Sequence, residues 1–290
     1  SRERRENLSS REQEPLLYRP TVKPKLSFAA ALALTALTAR AAEWVNISDP
    51  FTTNLPKPGT YGPTAGVAVD RANGNVFMVV ADYGMWRSTD HGKSFTRVDN
   101  QTIGGRCETG WALQMDPAGG RMFAFMIYGS SALTTDGGTT WRQIMNGLPT
   151  YTQDGIGRVG IAVAPSLPSR LFATVDSTQK GGLYRSDDGG EHWRMVGTDA
   201  RVTSREDDFA EVKVDPKNPD IVYTASIVTW KSTDGGANWK PTFDNQSSQA
   251  IGALAVAPSN PNIVWAGTGE GWAVRDMDMM GDGIYKSTDA

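Results

Sequence analysis

The sequence predicts an all-β chain, a β-propeller built from four-stranded antiparallel blades, and three observations carry that prediction. The first is a turn that recurs along the chain. Its copies are Ser88-Thr89-Asp90-His91-Gly92 with Phe95, Thr134-Thr135-Asp136-Gly137-Gly138 with Trp141, Ser186-Asp187-Asp188-Gly189-Gly190 with Trp193, and Ser232-Thr233-Asp234-Gly235-Gly236 with Trp239. A fifth copy, Ser287-Thr288-Asp289, stops in mid-pattern. The second observation is the spacing: the aspartates stand 46, 52, 46 and 55 residues apart, which is the length of one blade per repeat. The third is that each turn follows short apolar runs punctuated by Pro, Gly, Asn and Asp, in a chain with 31 Gly and 16 Pro, the composition of many short strands and tight turns.

The residue types of the turn follow from its chemistry. Ser, Thr and Asp bond to nearby backbone groups and hold a tight turn, and Gly supplies a positive φ. The aromatic residue opens the next strand and covers the turn. Residues 210–243 show the blade plan: AEVKVD as an inner strand, PKNPD as a turn, IVYTAS as a buried second strand, Val228 to Ser232 as the third, and Trp239 opening the fourth. Parallel segments start at Gly66, Ala112, Gly160 and Ala253, placing five blades near 60–98, 110–145, 158–197, 209–243 and 251–290. Trp44 to Ile47 has the look of an outer-strand start. Either Trp44 to Ile47 supplies the fourth strand of the last blade and closes a five-bladed ring, or, the expectation favoured because the fifth repeat breaks off within its turn, the chain is the front part of a larger propeller.

Residues 1–22 are polar, rich in Arg and Glu and without periodicity, which reads as an unstructured leader. Lys23-Pro24-Lys25, the apolar run Leu26 to Ala39 and the small-residue stretch to Ala42 read as a signal peptide, so the expected mature chain is 43–290, secreted or periplasmic and without a membrane span. That part carries 21 basic against 28 acidic residues, a net charge of about −7, which argues against nucleic acid as a partner. Cys107 is the single cysteine and rules out an internal disulfide.

In this strand order the turns joining first to second and third to fourth strands share one face, so the repeated aspartates are structural and a ligand belongs at the other face. The connections that reach it are 99–111, 146–158, 198–209, 244–251 and 267–283. They carry Arg106, Glu108, Trp111, Tyr151, Asp154, Arg158, Arg201, Arg205, Glu270, Trp272 and Arg275, and mixed arginines, carboxylates and aromatics suit a glycan or a peptide. The expected ligand-binding set is Arg106, Trp111, Tyr151, Arg158, Arg205, Trp272 and Arg275. Glu206, Asp207, Asp208 and Glu270 are the candidate acids for glycoside hydrolysis, set against a solvated acidic loop balanced by Arg201 and Arg205. Asp276, Asp278 and Asp282 miss the ligand spacing of a calcium loop, and no metal or cofactor is expected. The two histidines, His91 and His192, both sit inside the repeated turns, which excludes a histidine triad or a histidine metal site. The chain lacks a Gly-rich phosphate loop and any evident helix to follow one.

The repeated turn resembles the Asp-box (BNR) repeat, Ser/Thr-x-Asp-x-Gly-x-x-Trp/Phe, of sialidases, xyloglucanases, sortilin-type receptors and many secreted bacterial propellers. Over about 159–290, GGLYRSDDGGEHW, FAEVKVDPKNPDIVYTASIVTWKSTDGGANW and GDGIYKSTD resemble the sortilin N-terminal-like repeats of secreted bacterial proteins often labelled glycosyl hydrolases. The sialidase version of the resemblance implies an arginine triad and an Arg-Ile-Pro motif before the first box. Before Ser88 the mature chain offers only Lys57, Arg71 and Arg87, so that version is disfavoured. The expectation is a secreted Asp-box propeller that binds a glycan or an extracellular peptide on its loop face. The alternatives are a xyloglucanase-like glycoside hydrolase completed by further sequence, and an assembly scaffold resembling the propeller factors of photosystem biogenesis.

Overall fold

The computed structural model describes residues 66–80, 84–99, 113–125, 131–203, 211–225, 228–248, 250–269 and 281–290. The leader and signal-peptide segments lie outside them. Among the described residues the chain is a β-propeller of five antiparallel sheets, each formed by strands consecutive in sequence. The first sheet holds β1 (Gly66–Val69), β2 (Val76–Val80), β3 (Gly84–Ser88) and β4 (Thr96–Arg97), and the second β5 (Leu113–Met115), β6 (Met122–Phe125), β7 (Ser131–Thr134) and β8 (Arg142–Gln143). The third holds β9 (Ile156–Val163), β10 (Leu171–Ser177), β11 (Gly182–Ser186) and β12 (Arg194–Gly197). The fourth holds β13 (Glu211–Val214), β14 (Val222–Ala225), β15 (Thr229–Ser232) and β16 (Lys240–Pro241). The fifth shows three strands, β17 (Ile251–Val256), β18 (Val264–Thr268) and β19 (Ile284–Ser287).

The second strand of each blade explains why its sequence is apolar without alternation. Phe123 and Phe125 of β6 pack toward the third blade, with Leu171, Ala173 and Val175, while Met122 and Ala124 pack toward the first, with Phe77 and Val79. In β10, Phe172 turns the other way, toward Val212, Val214 and Val222 of the fourth blade. Tyr223 and Ala225 of β14 then meet Leu254, Val264 and Ala266 of the fifth. A strand with apolar neighbours on both faces reads as a continuous hydrophobic run, and the core is therefore four inter-blade seams rather than one central mass.

The box turns are bonded alike. The hydroxyl of Ser88, Thr134, Ser186 or Ser232 accepts the N–H of Gly92, Gly138, Gly190 or Gly236 at 2.8–2.9 Å and donates to the aspartate Oδ1 at 2.7–2.9 Å. That carboxylate accepts the N–H of the residue four positions on at 2.9 Å, from Ser94, Thr140, His192 and Asn238. Its Oδ2 takes the side chain of the same residue at 2.6–2.7 Å. The hydrogen bonds from Thr140, and in the fourth box those from Asn238, pull Asp136 and Asp234 down to about 2. Desolvation opposes the shift at Asp188, yet the bonds from His192 and Ser186 still bring it to about 2. The residue after the aspartate sits at left-handed φ, 60° at His91 and 68–77° at its glycine counterparts, so His91 occupies a position that costs a side chain about 1 kcal/mol.

The box aromatic does not open the fourth strand as the sequence suggests. It stands one residue ahead of β8, β12 and β16 and turns inward as a wedge between blades. Trp141 joins Phe77, Val79 and Met85 of the preceding blade, and Trp193 joins Phe123 and Ile144. The indole N–H donates to a carbonyl, Trp141 to Val98 at 3.2 Å and Trp193 to Ile144 at 3.0 Å, so burial leaves no polar atom unmet. Around the rim, Arg121 donates to the Pro168 carbonyl at 2.7 Å, Arg87 to Gly137 at 2.5 Å, Arg170 pairs with Asp220 at 2.5 Å and Lys217 reaches the Ser259 carbonyl at 2.9 Å. Each of these crosses from one blade to the next.

The sequence showed no helix, but among the described residues there is one turn of it, α1 (Tyr151–Asp154), between the second and third blades. Asp154 makes that turn possible by accepting the Thr150 N–H at 3.0 Å, and Gly155 ends it at φ 60°.

Two outcomes test the box chemistry. Ser186→Ala strands the buried Gly190 N–H and is expected to cost about 1–3 kcal/mol in urea denaturation, whereas Glu191→Ala, which removes only an exposed pair with Arg142, costs less than about 1 kcal/mol. Asp136, Asp188 and Asp234 have folded pKa values of about 2 against 3.8 unfolded, and Asp90 is likewise lowered. Their stabilisation is present above about pH 4 and is lost as pH falls through the folded values. Melting temperature is expected to drop between about pH 4 and pH 2, with a shallower drop in Asp188→Asn.

Candidate functional site

The face opposite the boxes is formed by the connections from second to third strand and from blade to blade. Three polar clusters stand there among the described residues. The first is built on α1, β9 and the turn after β10. Tyr151 is 57% exposed on α1, and Asp154 at the end of the same turn is buried and paired with Lys180 Nζ at 2.9 Å. Lys180 lies in the β10–β11 turn, where its carbonyl accepts the Tyr184 hydroxyl at 2.8 Å. Ser177 and Thr178 donate to the Asp154 carbonyl at 2.6 and 3.2 Å. The bond from Lys180, with the Thr150 N–H, holds Asp154 below the usual carboxylate range, while burial, with the Asp154 charge nearby, raises Tyr184. An ion pair between a buried carboxylate and an exposed lysine thus shares this connection with the exposed Tyr151.

The second cluster joins the third blade to the fourth. Arg201 forks onto Asp199, Nε at 2.9 Å and Nη2 at 2.6 Å from its carboxylate oxygens, and lies over the buried Trp230 ring at 5.0 Å. The hydrogen bond from Arg201 lowers the Asp199 pKa. The third is in the fifth blade. Asp282 accepts the Thr268 hydroxyl at 3.0 Å, the Tyr285 hydroxyl at 2.8 Å and the Ser247 hydroxyl, and the Ser247 and Tyr285 bonds lower its pKa.

These environments limit the chemistry. A general acid needs its proton near neutral pH, so its pKa must be raised. Asp154, Asp199 and Asp282 are all shifted down, which suits fixed acceptors for hydroxyl or amide hydrogens and not proton donors. Asp282, weighed above for calcium, meets hydroxyl donors, and no cluster able to hold a metal ion occurs among the described residues. No helix among them is long and apolar enough to cross a membrane.

Of the ligand-binding residues expected from sequence, Tyr151 and Arg158 are described. Arg158 lies not in a connection but on β9, third in that strand and partly buried. Arg106, Trp111, Arg205, Trp272 and Arg275, and the candidate acids Glu206, Asp207, Asp208 and Glu270, lie outside the described residues, as do Glu108, Asp276 and Asp278. Sequence reasoning missed Lys180, Asp199, Thr268 and Tyr285. Lys180-Gly181-Gly182 was legible as a second-to-third-strand turn on this face; the other three sit at strand ends where only the fold shows which way they point.

No protein-family model matches the chain. Among curated proteins it is 25% identical over 246 residues to a xyloglucanase of Hypocrea jecorina, covering 70% of this chain and 28% of that protein. It is 25% identical over 202 residues to a xyloglucanase of Acetivibrio thermocellus, covering 56% of this chain and 23% of that one. Among solved structures it is similar to a GH74 enzyme of Niastella koreensis, with a TM-score of 0.61 and 20% identity over 79% of this chain and 37% of that one. The chain therefore spans about a quarter of the length of these curated relatives, and its fold is that of a propeller found in GH74 enzymes.

Proposed function

We propose that this chain forms a polysaccharide-binding propeller surface, with a β-linked glucan of the xyloglucan type as its ligand. One observation carries the reading: Tyr151 is an exposed aromatic on the same helical turn as Asp154, which pairs with the exposed Lys180. Sugar rings present apolar C–H faces and hydroxyl edges, so a ring stacked on Tyr151 would set its hydroxyls toward the exposed Lys180 ammonium, which the buried Asp154 carboxylate anchors. Arg201 with Asp199 and the Asp282 cluster would add further charged and hydroxyl groups along the face. The two xyloglucanases to which the chain is similar support the choice of glycan over peptide. Delivery outside the cytoplasm, by the signal peptide read at 23–42, would bring the surface to its polymer.

Hydrolysis is the second reading, favoured by the names of the same relatives. It would need two carboxylates flanking a glycosidic bond, one with a raised pKa, and the acids available for that role are Glu206, Asp207, Asp208 and Glu270.

Native gels cast with xyloglucan test both. The chain is expected to be retarded, and Tyr151→Ala to weaken binding by about tenfold, the loss of one aromatic contact of about 1.4 kcal/mol. Unretarded migration at every xyloglucan concentration would sink the binding reading. Release of reducing sugar that disappears in Asp207→Ala or Asp208→Ala would establish hydrolysis instead.

A further inference from the structure

The seam between the third and fourth blades stays open along its outer edge, where the seam before it is closed. Between the second and third blades the wedge Trp193 is 5% exposed, and its indole N–H crosses to the Ile144 carbonyl at 3.0 Å. Arg142, at the start of β8, pairs over the outside with Glu191 of the third box. At the next seam the corresponding groups differ. Arg194 stands opposite Arg185 as Arg142 stands opposite Leu133, but the counterpart of Glu191 is Ala237, and the carboxylate nearest Arg194 is Asp187 of its own blade, at 3.6 Å. Strand β12 also carries a bulge: Tyr184 pairs with Met195 and Leu183 with Gly197, which leaves Val196 as an extra residue. Trp239 remains partly exposed, and its N–H returns to the Gly236 carbonyl of its own box at 3.0 Å.

The result is a groove of about 520 Å³ on the rim, lined by the β12 bulge, by Ala237, Asn238 and Trp239 of the fourth box, and by Asp199 and Arg201. Small-molecule sites span roughly 300–1,000 Å³, so the groove is of ligand size. Its polar groups are held in place by the protein itself. Arg201 forks onto Asp199 and lies over the Trp230 ring, and both charged side chains reach solvent, at 72% and 31% exposure. Asn238 donates its amide N–H to Asp234 Oδ2 at 2.6 Å, which leaves its amide oxygen without a donor among the described residues. A cation entering here would meet the Arg201 charge and an anion the Asp199 charge. A neutral molecule whose hydroxyls both donate and accept suits both groups and the Asn238 oxygen, and the indole of Trp239 offers a surface for an apolar C–H face.

We propose that this groove is a second glycan site, one that takes one or two pyranose units of a neutral glycan at the rim. A ring packs on Trp239 while its hydroxyls bond to Asp199 and Arg201 from one wall and to Asn238 from the other. The choice of a glycan among neutral polyols rests on the function proposed above, but the site uses neither Tyr151 nor the Asp154–Lys180 pair. The closed seam between the second and third blades shows what fills such a groove when no ligand is taken: a carboxylate at the position of Ala237 and an arginine from the neighbouring blade.

Intrinsic tryptophan fluorescence of the full chain carrying Tyr151→Ala, titrated into the millimolar range with cellobiose, lactose, maltose and xylobiose, tests the groove apart from the face. A saturable change with at least one of these disaccharides is expected. Ala237→Glu, which supplies Arg194 with the partner that Glu191 gives Arg142, is expected to weaken it at least tenfold. Asn238→Thr keeps the two bonds to the box carboxylate, as Thr140 makes them to Asp136, and removes only the amide oxygen; a severalfold loss is expected, and this variant keeps the test open should Ala237→Glu fail to fold. Absence of a saturable change with every disaccharide, or unaltered affinity in both variants, would overturn the proposal. Disaccharide binding by Tyr151→Ala, with the native chain unretarded on xyloglucan gels, would support the groove and reject the face; retardation without disaccharide binding would do the reverse.

Discussion

One hydroxyl per blade organises this chain. The Ser or Thr that ends the third strand is buried, accepts the N–H of the box glycine and orients the aspartate beside it. With those bonds made, the chain reverses within five residues and sends the aromatic under the turn and into the seam. Without them a glycine N–H would be buried unmet, and the wedge would have no fixed direction. The seam packing, the blade spacing and the direction of the fourth strand all follow from that local geometry, because a hydrogen-bonded turn sets the aim of what comes after it.

The consequence is a division of labour between the two faces. On the box face the carboxylates are saturated by their own turns, so a row of four aspartates presents little free acceptor capacity. The opposite face holds carboxylates paired with side chains outside any box turn: Asp154 with Lys180 of another connection, Asp199 with Arg201 of its own, Asp282 with three hydroxyls. The cations of the two ion pairs, Lys180 and Arg201, are held by these carboxylates and still border solvent, which is the condition for recognising a polar ligand with little ordering cost. Depressed pKa values on both faces therefore have different meanings, closure of a turn on one and preorganisation of a surface on the other.

The fold was legible because its signal is periodic. Four complete boxes at a near-constant step constrain strand number, order and face, and each repeat corroborates the rest. Two details escaped. The inward turn of Trp141 and Trp193 could not be separated from a strand start by pattern, since an aromatic suits both; the seam decides it. The role of Ser94, Thr140, His192 and Asn238 escaped because four different residue types serve one purpose, to bond the carboxylate Oδ2, and a pattern sought in identities hides one held in hydrogen-bonding capacity. The candidate site was less legible still. Tyr151 and Asp154 belong to a segment that looked like plain loop, because a one-turn helix has no periodicity to show, and Lys180 meets Asp154 only through the β10–β11 turn, 26 positions away in sequence.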